Sequence, residues 1–216
     1  MKNEGVDIDT KEQLIRKIVM IEWEMFQKVP NIGGPASCQQ DWETFKINRA
    51  AQAAGWSEPM LESYLDDLSA AREQGRNLLT EKYGRMMEST SPEEYVQIKH
   101  LLPSLPREAP VLIDEIVKTI LKWEEQLLEK YPHIVKRGRP IHSSEDCPGV
   151  TSVETYFRGE LATYSLKTLK LYRDNIQQQE TQNINGSEMT LEYMIKSYGY
   201  KSAEEANKSL GRARRS

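Results

Sequence analysis

The chain has 216 residues, a net charge of −4 and charged side chains at 29% of its positions. This length is enough for one well-packed core. The acidic balance gives no global attraction for a nucleic-acid backbone, so we expect no nucleic-acid partner. No stretch approaches the roughly 20 apolar residues of a membrane span, and the polar N-terminus lacks the apolar segment of a signal peptide. These features predict a cytoplasmic protein without a membrane partner.

Apolar residues recur at helical spacing along almost the whole chain, and the alternation typical of strands is scarce. Capping residues, prolines and glycines divide the pattern into predicted helices at residues 10–28, 36–54, 57–88, 91–101, 111–130 and 151–179, followed by two short helices beyond a polar linker at 183–187. Gly75 is a weak point inside the third of these helices. The longest predicted loop, at about residues 131–150, carries two of the three histidines.

This pattern predicts an all-α fold, a single-domain bundle of about six to eight helices with one long loop. We expect a disordered N-terminus at residues 1–9 and the helical bundle at 10–180. Short C-terminal helices at 181–210 are expected to pack on the same domain, and residues 211–216 form a basic tail.

Four of the predicted helices place ionisable side chains on the face that carries their apolar residues. These side chains are Glu22 in the first helix, Asp41 and Arg49 in the second, Arg72, Arg76 and Lys82 in the third, and Glu160 and Lys167 in the helix after Thr151. Buried charges cost free energy unless they are paired. One interpretation is a set of core salt bridges, for example Glu22 with Arg49 and Glu160 with Arg76. The other is a polar pocket in which these groups contact a ligand and shift each other's pKa.

The segment between the first two helices combines a glycine-rich turn with a lone cysteine. Gly33 and Gly34 could let backbone N–H groups approach an anion, although a tight turn between helices is the alternative. Cys38 is expected near the first turn of the second helix, where the helix dipole lowers the pKa of a thiol. Cys38 is therefore a candidate nucleophile, and the alternative is a small buried apolar side chain.

The acidic residues do not form a recognisable metal motif. No Glu-x-x-His sequence is present, which argues against a ferritin-type di-iron site. Carboxylates alone could hold Mg²⁺ or Mn²⁺, as in the all-α nucleotide pyrophosphohydrolases, but the paired acidic motif of those enzymes is missing. Cys38 and Cys147 have no zinc-ligand spacing, and we expect no disulfide between them. The sequence therefore assigns no metal ligand and no cofactor.

The long loop carries a second candidate anion site. Arg137 and Arg139 lie close to His142, and two arginines could clamp a carboxylate or a phosphate. The alternative is solvated surface charge. Long loops in compact domains are often binding loops, which favours a function here.

Several ordered blocks make the chain similar to a bacterial family catalogued as domain of unknown function 4125. The resemblance extends from about Lys17 to Tyr200 and brings no established activity with it. The blocks are Glu22–Phe26, Asn31, Gly33-Gly34, Ala36, Cys38-Gln39, Asp41, Gly75–Leu78, Lys82-Tyr83, Arg85–Met87, Thr151–Tyr156, Arg158–Leu161 and Thr163–Ser165.

The leading hypothesis is a small-molecule pocket inside the bundle, in an enzyme that acts on a carboxylate- or phosphate-bearing metabolite by general acid and base chemistry. The predicted catalytic residues are Glu22, Glu160, Tyr164 and Cys38. The predicted ligand-binding residues are Asn31, Gly33, Gly34, Asp41, Arg49, Arg76 and Lys82. One alternative is a non-catalytic binding or interaction protein with a structural ionic core. A second alternative is a Mg²⁺-dependent nucleotide hydrolase.

Overall fold

The computed structural model describes residues 10–31, 34 and 36–212, and regular structure within them is helical. These residues form eleven α-helices: α1 (Thr10–Phe26), α2 (Trp42–Ala54), α3 (Glu58–Glu73), α4 (Leu78–Thr90), α5 (Pro92–Ile98), α6 (Ala109–Lys130), α7 (Pro132–Val135), α8 (Val153–Leu161), α9 (Leu166–Thr181), α10 (Gly186–Ser197) and α11 (Ala203–Arg212). The all-α prediction is therefore confirmed, with more helices than expected. None of the helices in this part of the chain is long and apolar enough to cross a membrane. The predicted N-terminal segment 1–9 and most of the predicted tail lie outside the described residues.

The single long helix predicted at residues 57–88 is wrong, because the chain turns at Gly75. Gly75 has a φ of +69°, in the left-handed region that costs glycine nothing. The Arg76 amide then donates to the Ala71 carbonyl at 2.8 Å, which closes the end of α3. The Asn77 side chain accepts from the backbone amides of Leu79 and Thr80 and starts α4. The turn therefore separates α4 from α3, so that α4 does not continue the axis of α3.

Two other predicted helices differ from the observed ones at capping side chains: one is divided in two, and the other begins later. The helix after Thr151 divides into α8 and α9, because Ser165 accepts from the Thr168 amide and starts a new helix. The second predicted helix begins at Trp42 rather than at Ala36, since the Asp41 carboxylate accepts from the Thr44 amide at 3.0 Å. Residues Ser37–Gln40 form a separate 3-10 turn.

Helix α3 occupies the centre of the bundle, and its Met60, Leu61 and Leu68 are fully buried. It packs against α1 and α9, while α6 packs against α8, α9 and α10. Helix α10 also covers α2, and α11 packs on α7. A second, smaller apolar cluster around Leu127 and Tyr131 joins α6 to the C-terminal helices.

The predicted long loop at 131–150 is tied to the bundle through Asp146. This carboxylate accepts hydrogen bonds from the Ser89 hydroxyl at 2.5 Å, the Ser152 amide at 2.6 Å and the Thr155 hydroxyl. Ser89 lies on α4 and Thr155 on α8, so one side chain joins the loop to two helices. Hydrogen bonds from Ser89 and Thr155 outweigh burial and lower the pKa of Asp146, which keeps it ionised as an acceptor.

Helices α4 and α8 approach closely at Gly159. A Cβ atom added to Gly159 would lie 2.8 Å from Met86 Cγ and 3.0 Å from the Lys82 carbonyl oxygen. Backbone atoms cannot move away as a side-chain end can, so only glycine fits. The close approach places Lys82 of α4 beside Glu160 of α8.

We expect Gly159→Ala to destabilise the fold although alanine favours helix. The gain in helix propensity over glycine is about 1 kcal/mol, and overpacking against backbone costs about 1–3 kcal/mol. Gly84→Ala is the matched control, because a Cβ there meets only the side-chain ends of Leu102 and Ile98, at 3.2 and 3.4 Å. Urea denaturation of both variants measures the difference. A Gly159→Ala protein as stable as Gly84→Ala would contradict this packing.

Candidate functional site

A buried ion cluster, made of Glu22, Arg49, Lys82 and Glu160, joins four helices. The residues come from α1, α2, α4 and α8 in that order. Their exposed fractions are 0%, 7%, 4% and 2%, so all four are removed from water. Two carboxylates and two cations give the cluster a net charge of zero.

Arg49 lies between the two carboxylates and uses every donor that a guanidinium has. Its Nε donates to Glu22 Oε2 at 2.8 Å, and its Nη2 donates to Glu22 Oε1. Nη2 also contacts Glu160 Oε1 at 3.3 Å, and Nη1 donates to Glu160 Oε2 at 3.0 Å. The remaining Nη1 hydrogen goes to Gln52 Oε1 at 2.7 Å. Arg49 therefore has no donor left for a ligand.

Neutral side chains complete the hydrogen bonds of the two carboxylates. The Tyr64 hydroxyl donates to Glu22 Oε1 at 2.7 Å, and the Tyr164 hydroxyl donates to Glu160 Oε1 at 2.9 Å. The Gln52 amide donates to the same Glu160 oxygen at 2.6 Å. Tyr64 and Gln52 were not predicted as site residues, because a tyrosine or glutamine on a helix face gives no charge signal.

Lys82 is held between a carboxylate and an aromatic ring. Its Nζ donates to Glu160 and lies 3.4 Å from the centre of the Tyr156 ring. A cation over an aromatic face is stabilised by the ring quadrupole. The positive charge of Lys82 is thus stabilised within the protein by both Glu160 and Tyr156.

The pKa of Glu160 is lowered although the side chain is buried. Burial raises the pKa of this carboxyl, but the charges of Arg49 and Lys82 and their hydrogen bonds hold it well below its ordinary value. A carboxyl with a lowered pKa stays ionised at neutral pH, which disfavours Glu160 as a general acid. Burial, followed by the neighbouring carboxylates, raises the pKa of Tyr64 and of Tyr164, which keeps both as hydrogen-bond donors.

A cavity of about 500 Å³ lies next to the ion cluster. Arg49 is the only cluster residue on its described wall. Most of the lining side chains are aromatic or carry amides: Phe26, Trp56, Tyr83, Trp123, Tyr156, Phe157, Tyr172, Asn48, Gln52, Asn175 and Gln179. The other lining groups that can ionise and are free of the cluster are Cys38, Glu124 and Arg139.

Arg139 belongs to the loop, is exposed, and lines this cavity with most of its donors free of described protein partners. Its guanidinium carbon lies 4.9 Å from the centre of the Tyr156 ring, and its Nη1 donates to the Thr151 carbonyl at 3.1 Å. Within the described residues no carboxylate pairs with Arg139. The two residues predicted to act with it lie elsewhere: Arg137 does not line the cavity, and His142 Nε2 lies 3.1 Å from Glu125 Oε1.

Glu124 of α6 lines the same cavity and differs from the cluster carboxylates. Burial raises its pKa, and the Ser187 hydroxyl only partly opposes that effect. No lysine, arginine or histidine of the described chain forms an ion pair with it. Sequence reasoning missed Glu124, although it lies on the apolar face of α6, four residues after Ile120 and three before Leu127, both of which are buried.

The predicted site residues divide into three groups. Glu22, Arg49, Lys82, Glu160 and Tyr164 come together in the ion cluster. Cys38 is an exposed free thiol on the cavity wall, in the 3-10 turn and not in the first turn of α2. Asn31, Gly34, Asp41 and Arg76 lie apart from both, and Gly33 lies outside the described residues.

The predicted salt bridge between Glu22 and Arg49 is present, whereas the one between Glu160 and Arg76 is wrong. Arg76 instead donates to Glu81 at 2.8 and 2.7 Å, because it belongs to the turn at Gly75. Asp41 is exposed and serves as the cap of α2.

The glycine-rich segment is organised by a buried amide that the sequence did not indicate. Gln39 Nε2 donates to the carbonyls of Phe26 and Val29, and its Oε1 accepts from the Ala36 amide and from Asn31 Nδ2. Asn31 and Gly34 are exposed and do not line the cavity, and Gly33 lies outside the described residues. The described part of this segment is built as a tight corner between α1 and α2.

No group of three or more His, Cys, Asp or Glu side chains in the described ranges could hold a metal ion. The alternative of a Mg²⁺-dependent hydrolase therefore has no candidate ligand set among these residues.

We expect Glu160→Gln to destabilise the protein by about 3–5 kcal/mol, because it leaves a buried cation without its partner. Adding Lys82→Met restores a neutral cluster of Glu22 and Arg49, so the double variant should recover part of the loss. Urea denaturation of both single variants and of the double variant gives the coupling free energy. Strictly additive losses would contradict charge neutrality as the basis of the cluster's stability.

Comparison of the chain with known proteins identifies its family but no characterised relative. No curated protein and no solved structure matches the chain. Residues 12–208 match the family described as "Protein of unknown function (DUF4125)". The match includes all four residues of the ion cluster and the whole described wall of the cavity. The chain therefore belongs to the DUF4125 family.

Proposed function

We propose that the protein binds a small organic molecule in the cavity next to the ion cluster, and that Arg139 binds an anionic group of this ligand. The observation that carries the proposal is an unpaired guanidinium on the wall of an aromatic cavity of about 500 Å³. Ligand sites in proteins are commonly apolar clefts of roughly 300–1,000 Å³ with a few well-placed polar groups. The cavity fits this description in volume and in lining.

Arg139 is favoured as the anion-binding residue because the cluster cations have no capacity left. Arg49 spends its five donors inside the protein, and Lys82 is held by Glu160 and Tyr156. Arg139 uses one donor, to Thr151, and its stacking on Tyr156 limits its orientation. A planar guanidinium with free donors can bind a carboxylate or phosphate through two parallel hydrogen bonds.

The ion cluster supports the cavity instead of carrying out chemistry in this proposal. It fixes α1, α2, α4 and α8, and each of these helices contributes lining residues: Phe26, Gln52, Tyr83 and Tyr156. The low pKa of Glu160 disfavours its use as a general acid or base. No histidine lines the described cavity, so Cys38 lacks the base that a nucleophile needs. We therefore propose binding without assigning a reaction.

Native and denaturing mass spectrometry of freshly purified protein tests whether the cavity carries a ligand. We expect a stoichiometric extra mass in the native spectrum that is lost on denaturation. The Arg139→Gln protein should show the extra mass at lower occupancy. An extra mass that is unchanged in Arg139→Gln would contradict the assigned anion site.

A defined probe tests the same site without knowledge of the natural ligand. We expect 4-ethylbenzoate to bind, and Arg139→Gln to weaken its affinity about tenfold, because hydrogen bonds to charged groups contribute about 1.5–3 kcal/mol. Isothermal titration calorimetry measures both affinities. Arg137→Gln is the matched control, since Arg137 lies on the same loop but not on the cavity wall. Equal losses in the two arginine variants would rule out a specific role for Arg139.

A further inference from the structure

Glu124 stands out among the carboxylates that the fold covers wholly or in part, since it is half-buried. Glu22 and Glu160 share Arg49, and Glu81 pairs with Arg76. Glu124 has only the Ser187 hydroxyl as a partner, and burial raises its pKa. A half-buried carboxylate without a cation has lost part of its hydration and gained no opposite charge, so its presence on a cavity wall suits a cationic partner from outside the chain.

The surroundings of Glu124 suit an organic cation. Its neighbour Trp123 also lines the cavity. A Cβ atom on Gly186 would lie 2.8 Å from both the Trp123 ring and Gln179 Oε1, so only glycine lets the first turn of α10 approach this closely. The result is one end of the cavity formed by a carboxylate, an indole ring and an amide. Aromatic faces and carboxylates together are how proteins recognise ammonium groups.

Arg139 and Glu124 line the same cavity but do not share neighbours. Arg139 stacks on Tyr156, whose ring also contacts Lys82 of the ion cluster. From Arg49 of that cluster, α2 leads to Gly55, whose carbonyl accepts from Gln179 Nε2 at 2.9 Å. Arg139 and Glu124 therefore border different parts of the cavity wall, Arg139 beside Tyr156 and Glu124 on α6.

We propose that the ligand is bifunctional, with a basic nitrogen that pairs with Glu124 and an anionic group that pairs with Arg139. This inference rests on the proposed function and narrows its ligand class. The aromatic side chains that line the rest of the cavity favour a planar or apolar spacer. Each charged end then supplies the partner that the protein itself does not provide.

Two related probes separate the contributions of the two ends. 4-(2-Aminoethyl)benzoate carries both charges, and 4-ethylbenzoate carries only the carboxylate. We expect the wild-type protein to bind the amino compound about tenfold more tightly, as expected for one charged hydrogen-bonded pair. Glu124→Gln should abolish this preference and leave the affinity for 4-ethylbenzoate unchanged. Glu125→Gln is the matched control, because Glu125 is adjacent, exposed and pairs with His142.

The outcomes of this titration distinguish the two proposals. Arg139-dependent binding of 4-ethylbenzoate without any preference for the amino compound overturns the role of Glu124 alone. A preference that survives in Glu124→Gln overturns it as well. If neither probe binds to the wild-type protein, both the proposed function and this inference fail.

The stability of the ligand-free protein gives an independent test. Below about pH 4, Glu124 is protonated in both the folded and the unfolded state and does not change the free energy of unfolding. Because its folded-state pKa is raised, the free energy of unfolding falls as the pH rises from the unfolded-state pKa through the folded-state pKa. Glu124→Gln should therefore have a higher urea midpoint than wild type at pH 8, and this gain should vanish at pH 4. Glu125→Gln should show no such gain. A lower midpoint for Glu124→Gln at pH 8 would mean that the carboxylate is paired inside the protein, and would overturn the inference.

Discussion

The contact on which the rest of the structure depends is the guanidinium of Arg49 between the carboxylates of Glu22 and Glu160. Removing such charges from water costs several kcal/mol for each ion, and attraction offsets this cost only when the geometry is excellent. Here every donor of Arg49 is used, Lys82 balances the second carboxylate, and the charges sum to zero. These conditions hold for only one arrangement of α1, α2, α4 and α8, so the cluster favours one packing of the bundle over its alternatives.

The charged side chains fall into two groups: those of the ion cluster stabilise the fold, and those on the cavity wall are available to a ligand. Charges in the cluster are satisfied internally, which makes them poor partners for a ligand. On the cavity wall, Arg139 and Glu124 have neither an opposite charge nor a full set of hydrogen bonds among the described residues. A fold that pairs its buried carboxylates and leaves the half-buried Glu124 without a cation is consistent with stability given up for binding.

The helical periodicity of the sequence was sufficient to find the ion cluster but not its partners. Glu22, Arg49 and Glu160 were recognisable because a charge on an apolar face has to be buried. Arg76 was placed wrongly, because the left-handed turn at Gly75 resets the face that α4 presents. Glu124 carries the same signal on α6, between the buried Ile120 and Leu127, but its lack of a cation depends on tertiary packing that the sequence does not show. Arg139 was recognised as an anion-binding candidate, but its position beside Tyr156 depends on how the loop is tied down.

The attachment of the loop through Asp146 affects how easily Arg139 can take up a ligand. Ordering a free loop at the moment of association would consume binding free energy as lost conformational entropy. Because Asp146 holds the loop to α4 and α8, that entropy is already lost when the protein folds. Arg139 is thus preorganised. A small ligand with few contacts can therefore bind, because its binding free energy is not spent on ordering the loop.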